Sequence, residues 1–179
     1  EDGIRDRDVT GVQTCALPIC IAAITLLSKA GDSPAEYFQK LVKKHNLSLP
    51  QNWQSGAPLD QAISLLQASL EKQVDLFTIA ELQQETVRQV ETLWRESPGK
   101  RIRLKHVGGG GGKGQRVITA VDEVEEAVMS VLIESKATGV GDNKNFLIEL
   151  NIEDTRHNEI QLLGNGEWCI ELGGRDCSL

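Results

Sequence analysis

The chain has 179 residues, of which 40% are hydrophobic and 25% are charged, and its formal net charge at pH 7 is −7. This composition is that of an ordinary globular protein of one domain or one and a half, and it argues against a wholly disordered chain. The acidic balance disfavours a general nucleic-acid role. No apolar run approaches the about 20 residues that a membrane-spanning helix needs. We therefore expect neither a nucleic-acid partner nor a membrane partner.

The four cysteines are scattered along the chain. They are Cys15, Cys20, Cys169 and Cys177, and no two of them form a C-x-x-C pair. Their spacing therefore indicates neither a zinc site nor a redox dithiol. Scattered thiols fit a reducing cytosol, so we expect a cytoplasmic protein. We expect Cys169 and Cys177 to be buried as small apolar residues.

Residues 1–19 differ in character from the rest of the chain. They lack hydrophobic periodicity, and acidic residues crowd the start, where a signal peptide needs basic ones. The segment from Val9 to Ile19 resembles the conceptual translation of a common short-read sequencing adapter, and Glu1 to Asp6 resembles the same adapter further upstream. We therefore expect residues 1–19 to be an unstructured adapter artefact and exclude them from the fold.

Residues 20–97 are predicted to be mainly helical. The run from Ile21 to Gly31 indicates a mostly buried helix. Ser33 and Thr78 are each followed three residues later by a glutamate, which predicts a capping box at the start of two further helices. Apolar residues between Leu59 and Leu70 recur at helical spacing.

The character of the chain changes at Pro98. Alternating or apolar runs predict strands, and one amphipathic run predicts a helix. The strands are expected at 101–104, 117–119, 146–150, 158–162 and 168–172, and the helix at 121–136. This order predicts an α+β fold, in which a small antiparallel sheet with a helix packed on one face follows a helical segment.

Five successive glycines, Gly108 to Gly112, lie between the first two predicted strands. Ordering five glycines costs more chain entropy than ordering the two-residue turn that would close the same hairpin. Without Cβ atoms, successive N–H groups can approach a phosphate closely and point at it. Lys105 and Lys113 flank the run and add positive charge. A flexible linker is the alternative, but cations at both ends of a run between two strands favour a phosphate-binding loop.

This loop matches neither of two well-known glycine signatures. Gln115 follows Gly114, so the hydroxyl of the Gly-x4-Gly-Lys-Ser/Thr motif is missing. The dinucleotide fingerprint needs a helix after the glycines, and here a strand is predicted instead. The loop alone therefore does not identify the phosphate-containing ligand, which must be inferred from other parts of the chain.

Three motifs occur in order over roughly residues 100–179. The first is Lys105-x-x-Gly-Gly-Gly-Gly-Gly-Lys-Gly. The second is Glu149-x-x-x-Glu153-x-x-Arg156-His157-x-Glu159-Ile160-Gln161, and the third is Arg175-Asp176-Cys177-Ser178. Together they resemble the biotin carboxylase subunit or domain of biotin-dependent carboxylases, a branch of the ATP-grasp enzymes.

The resemblance implies that ATP is the bound cofactor and that the chain includes the lid, or B domain, that covers it. It implies that Lys105 contacts the phosphates and that the amides of Gly111 and Gly112 cover them. The remaining implied nucleotide contacts are Glu149, Leu150, Asn151 and Ile152 around the adenine, and His157. Residues 20–97 would run from the end of the N-terminal domain into the lid, and residues 98–179 would be a truncated glycine-loop sheet region.

The resemblance also implies a reaction for the intact protein. MgATP and bicarbonate would give carboxyphosphate, and biotin on a carrier domain or protein would then accept the carboxyl group. No catalytic residue and no metal ligand is expected in this segment, because the family's bicarbonate and magnesium residues would lie beyond Leu179. We therefore expect the segment to be inactive alone. The alternatives are another ATP-grasp ligase, such as a carbamoyl-phosphate synthetase-like enzyme, and a non-catalytic nucleotide-binding module.

Two departures from the family pattern indicate a divergent branch. Gly174 occupies a position that is usually Glu, and the segment from Pro34 to Pro98 is longer and more helical than usual. Aligned on Ile21, the lysine that contacts ATP in the family falls at Cys20, where the adapter junction would have removed it.

Overall fold

The computed structural model describes residues 19–107, 114–137, 144–153, 156 and 158–176. Five α-helices lie in this part of the chain: α1 (Ile21–Ala30), α2 (Pro34–His45), α3 (Pro58–Glu71), α4 (Ile79–Glu96) and α5 (Val124–Ala137). Its strands are β1 (Ile19–Cys20), β2 (Ile102–His106), β3 (Gln115–Ile118), β4 (Phe146–Leu150), β5 (Asn158–Gly164) and β6 (Cys169–Asp176). The predicted α+β class is confirmed. None of the described helices is long and apolar enough to cross a membrane.

The strands form two antiparallel sheets. The larger has four strands in the order β1-β4-β2-β3, and the smaller is the hairpin of β5 and β6. The side chain of Asn165 closes this hairpin by accepting hydrogen bonds from the backbone N–H groups of Glu167 and Trp168. Among the described strands, β5 and β6 pair only with each other and do not extend the larger sheet. Cys169 lies on this hairpin and is exposed, so the prediction that it is buried was wrong.

One hydrophobic core joins the helical part of the chain to the larger sheet. Helix α5 packs on β2 and β3, and α1 packs on α3, α4 and β4. Ile102 and Leu104 of β2 and Ile148 of β4 are fully buried. Strand β1 precedes α1 directly and pairs with β4. Helices α1 and α5 therefore cover one face of this sheet, and neither of them covers the other face.

The two predicted capping boxes behave differently. At the start of α4, Thr78 Oγ1 accepts from the N–H of Glu81 at 3.2 Å, and Glu81 Oε2 accepts from the N–H of Thr78 at 2.7 Å. This confirms the capping box predicted at Thr78. Ser33 makes no side-chain cap hydrogen bond at the start of α2, so the prediction of a capping box at Ser33 was wrong. Ser33 has a ψ of 61°, outside the extended conformation that usually aims an N-cap side chain at the helix.

This difference gives a matched pair of variants. We predict that Thr78→Ala lowers the free energy of unfolding by about 1 kcal/mol. The reason is that the N–H of Glu81 loses the hydroxyl that accepts its hydrogen bond. Ser33→Ala removes no cap hydrogen bond and should cost less than half as much. Urea denaturation of both variants measures the difference, and equal losses would contradict the cap assignment.

Glu81 also predicts a pH dependence. The ion pair with Lys29 (Nζ to Oε1, 2.7 Å) and the N–H of Thr78 hold the pKa of Glu81 below its ordinary value of 4.5. A carboxyl group whose pKa is lower in the folded state stabilises the fold above its unfolded pKa, and this contribution is lost as the pH falls through the folded pKa.

We therefore predict that Glu81→Gln is less stable than the wild type at pH 7. The gap should narrow as the pH falls below about 4.5 and should nearly vanish once both forms are neutral. Denaturation midpoints of the two proteins between pH 7 and pH 3 test this, and a gap independent of pH would show that charge plays no part.

Candidate functional site

Strand β2 carries different side chains on its two faces. Ile102, Leu104 and His106 are buried, whereas Arg103 and Lys105 are half-buried on the opposite face. This alternation follows from the pleat of a strand, in which successive side chains point to opposite sides. We call the side that carries Arg103 and Lys105 the open face of the sheet.

The pairing register shows which other residues share the open face. Lys105 lies opposite Gln115 on β3 and opposite Leu147 on β4, and Arg103 lies opposite Glu149. Side chains that are directly opposite in an antiparallel pair point to the same face. Lys105 and Glu149, two of the predicted ATP contacts, therefore lie on one face of the sheet.

Cys20 extends the same row. It pairs with Leu147 across β1 and β4, and Leu147 pairs with Lys105 across β4 and β2. Position 20 is where the family resemblance puts a lysine that contacts ATP. The sheet thus places that position on the open face, in line with Lys105.

The glycine run connects two paired strands, as predicted. The last pair of the β2–β3 ladder joins Lys105 to Gln115, and the N–H of His106 donates to the carbonyl of Gly114 at 2.9 Å. Lys105 therefore lies at the base of the glycine loop. Gly111 and Gly112 lie outside the described residues, and their predicted contacts with phosphate remain predictions.

The end of β4 offers a ligand mainly its backbone. The side chain of Leu150 packs against the core, and Ile152 is 49% exposed. The N–H of Asn151 donates to the carbonyl of Arg101 at 2.8 Å. Because hydrogen-bonding directions alternate along an antiparallel strand, the N–H and C=O of Leu150 point away from β2.

The described part of β1 pairs with Leu147 and Ile148 and does not reach Leu150. The backbone of Leu150 therefore faces an edge that these strands leave open. His157, the remaining predicted nucleotide contact, lies outside the described residues.

Arg103 connects the residue that follows β4 to the stem of the glycine loop. Its Nε and Nη2 donate to the side-chain oxygen of Asn151 at 3.1 and 2.7 Å, and its Nη1 donates to the side-chain oxygen of Gln115 at 2.7 Å. Asn151 itself is buried. Neither Arg103 nor Gln115 was among the predicted nucleotide contacts, although Arg103 precedes Lys105 by two residues and strand alternation puts these two side chains on one face.

A second arginine, Arg101, shares a carboxylate partner with Asn151. Arg101 donates through Nε to Oε1 of Glu153, and Nδ2 of Asn151 donates to the same oxygen at 3.3 Å. The hydrogen bond from Arg101, and then that from Asn151, hold the pKa of Glu153 below its ordinary value. Arg103 and Glu153 thus hold the carboxamide of Asn151 from two sides.

Beneath the loop stem, His106 belongs to the core. Its ring nitrogen Nε2 lies 2.8 Å from Oγ of Ser135 on α5. Only 1% of its surface is exposed. His106 is therefore part of the packing between β2 and α5.

The described residues do not provide a built metal site. None of them form a group of three or more His, Cys, Asp or Glu side chains that could hold a metal ion. Glu149 is the carboxylate that the pairing register places beside Lys105 and Arg103.

A cavity of about 480 Å³ lies elsewhere, where the end of α3 meets the turn before α4. Leu66, Phe77 and Lys144 are among the residues that line it, and none of the predicted nucleotide contacts does. Of the predicted nucleotide contacts, Lys105 and Glu149 thus lie on an open sheet face and outside this cavity.

Comparison with known proteins identifies the wider group. Residues 71–179 match the family model described as carbamoyl-phosphate synthase L chain, ATP binding domain. The chain is 38% identical over 82 residues to biotin carboxylase of Haemophilus influenzae, which is 45% of this chain and 18% of that protein. It is 42% identical over 82 residues to pyruvate carboxylase 1 of Caenorhabditis elegans, which is 45% of this chain and 7% of that protein.

The chain is also similar to a solved structure, that of a biotin carboxylase complex from Campylobacter jejuni. The TM-score is 0.43 at 22% sequence identity, over 90% of this chain and 28% of the other. The family assignment therefore rests on the sequence matches. The matched segment spans less than a fifth of the length of the biotin carboxylase of Haemophilus influenzae.

Gly114 provides a test of the loop stem. Its φ is +68°, and an added Cβ would lie 3.2 Å from Cβ of His106. We predict that Gly114→Ala lowers the free energy of unfolding by about 1–2 kcal/mol, because a left-handed backbone and a tight contact both oppose the new methyl group.

Gly99→Ala is the matched control. Gly99 also has a positive φ, +76°, but an added Cβ would meet nothing within 4 Å. The control should therefore show the backbone cost alone. If the two alanine variants unfold at the same urea concentration, the close approach of Gly114 to His106 contributes nothing.

Proposed function

The chain belongs to the family of carbamoyl-phosphate synthase L chain ATP-binding domains, and we propose that it is the ATP-binding segment of a biotin carboxylase-like ligase. The observation that carries the proposal is the shared open face. Lys105, at the base of the glycine loop, and Glu149, on the neighbouring strand, lie on the same side of one sheet. Relatives of this segment are named biotin carboxylase and pyruvate carboxylase.

The proposed site divides the nucleotide between two elements. The glycine amides and the ammonium group of Lys105 neutralise the triphosphate, as cations and oriented N–H groups do at phosphoryl-transfer sites. The base lies on the open face, towards the end of β4. Gly111, Gly112 and His157 complete the proposed contact set.

In the intact protein, we propose that MgATP and bicarbonate form carboxyphosphate and that a biotinylated carrier accepts the carboxyl group. This segment's own residues bind and orient the nucleotide, and they include no proposed catalytic residue. A cytoplasmic location remains a prediction from the cysteine pattern.

A second candidate is a carbamoyl-phosphate synthetase-like ligase, which the description of the matched family itself favours. The two candidates differ in what accepts the activated carboxyl group. In an intact protein, stimulation of bicarbonate-dependent ATP hydrolysis by biotin supports the first, and stimulation by ammonia supports the second.

Lys105→Ala tests the site assignment in this chain. We predict that the variant binds MgATP at least about tenfold more weakly, since it loses a charge-assisted contact with phosphate. Lys40→Ala removes an exposed lysine from α2 and should leave the affinity unchanged. Calorimetric titration measures both. Equal affinity of Lys105→Ala and the wild type would remove the phosphate role of Lys105.

A further inference from the structure

We propose that Arg103 is the platform on which the base of the bound nucleoside triphosphate stacks. This inference rests on the proposed ATP-binding role of the open face. It adds a residue that touches the base to a contact set chosen from the glycine loop and the end of β4. Asn151 and Gln115 are positioning residues that act through Arg103.

The position of Arg103 suits contact with the base. It lies opposite Glu149 and two residues before Lys105 on the open face. Lys105 marks the phosphate end of the proposed nucleotide, and the end of β4 marks the base end. Arg103 is bonded to Asn151, the residue that directly follows β4. The guanidinium group therefore lies on the base side of Lys105.

The hydrogen bonds fix the plane of the guanidinium group. Its donors all lie in that plane, and three of them are engaged, two by Asn151 on one side and one by Gln115 on the other. The side chain thus extends across the sheet between β3 and the end of β4. A guanidinium group held by its rim leaves its flat surface available, and such surfaces stack on aromatic rings and nucleobases.

Burial and charge distinguish this arginine from the others nearby. Arg103 is half-buried and its partner Asn151 is buried, so the hydrogen bonds are partly shielded from water. Arg116, on the neighbouring strand, lies opposite Leu104 and pairs with Glu134 of α5 at 2.8 Å. Its side chain therefore lies on the face of the sheet that packs against α5, where the carboxylate of Glu134 neutralises its charge.

Three roles for Arg103 predict different results. A stacking platform contributes to the binding of ATP but not to that of inorganic tripolyphosphate, which has no base. A phosphate-binding cation contributes equally to both ligands. A residue that only ties the strands together changes stability and leaves the ratio of the two affinities unchanged.

Arg103→Lys separates these roles because it keeps the positive charge and loses the planar group. We measure the affinities of the full 179-residue chain and of this variant for MgATP and for magnesium tripolyphosphate. The expected result is about tenfold weaker binding of ATP, which corresponds to about 1.4 kcal/mol, with tripolyphosphate affinity changed less than about twofold. Stacking of a base is worth about this much.

Two further variants strengthen the test. Gln115→Ala removes one of the two anchors of Arg103, and it should weaken ATP binding about threefold, since partial loss of order gives up part of the stacking energy, and spare tripolyphosphate. Arg116→Lys makes the same chemical change on the helix side of the sheet and should leave both affinities unchanged. Its agreement with the wild type shows that the effect belongs to position 103.

The outcomes are distinct. If Arg103→Lys loses equal affinity for ATP and for tripolyphosphate, or loses affinity for neither, Arg103 is not a stacking platform. The proposed function as an ATP-binding segment would still stand. A shift in thermal stability with an unchanged ATP-to-tripolyphosphate ratio would also exclude a stacking platform and assign Arg103 a structural role. If the wild-type chain binds neither ligand, the proposed function itself fails, and the platform fails with it.

Discussion

The alternation of side chains along β2 is the constraint on which the fold and the proposed site both depend. Ile102 and Leu104 enter the core beneath the helices, and this burial fixes the register of the strand, because a slip by one residue would reverse its faces. The same register sends Arg103 and Lys105 to the open face. Packing energy on one side of the sheet therefore positions the charges on the other side.

Local signals in the sequence were sufficient for most of the elements. Helical periodicity predicted α3, the Thr78 cap predicted the start of α4, and the runs around the glycines predicted the β2–β3 hairpin. Long-range pairing was not accessible in this way. Nothing local shows that β1 joins β4 or that the β5–β6 hairpin stays separate from the larger sheet, because those choices depend on which partners complete the backbone hydrogen bonds.

The candidate site was predictable in part for the same reason. Motif spacing identified Lys105 and Glu149, and the register brings them to one face. The contacts of Arg103 with Asn151 and Gln115 join residues that are 48 and 12 positions apart, and no periodicity connects such residues. Ser33 shows the converse error, since a correct residue type at the correct spacing failed where the backbone took a different conformation. Chemistry that depends on tertiary contact needed the structure.

The central claim is that the nucleotide base lies on the open face, between β2 and the end of β4. Photolabelling of the chain with 8-azido-ATP, followed by mapping of the modified peptide, tests it most directly because the azide reports the position of the base. The account predicts an adduct within residues 101–105 or 149–153 that excess ATP suppresses. An ATP-protected adduct on α5 or α3 would contradict it.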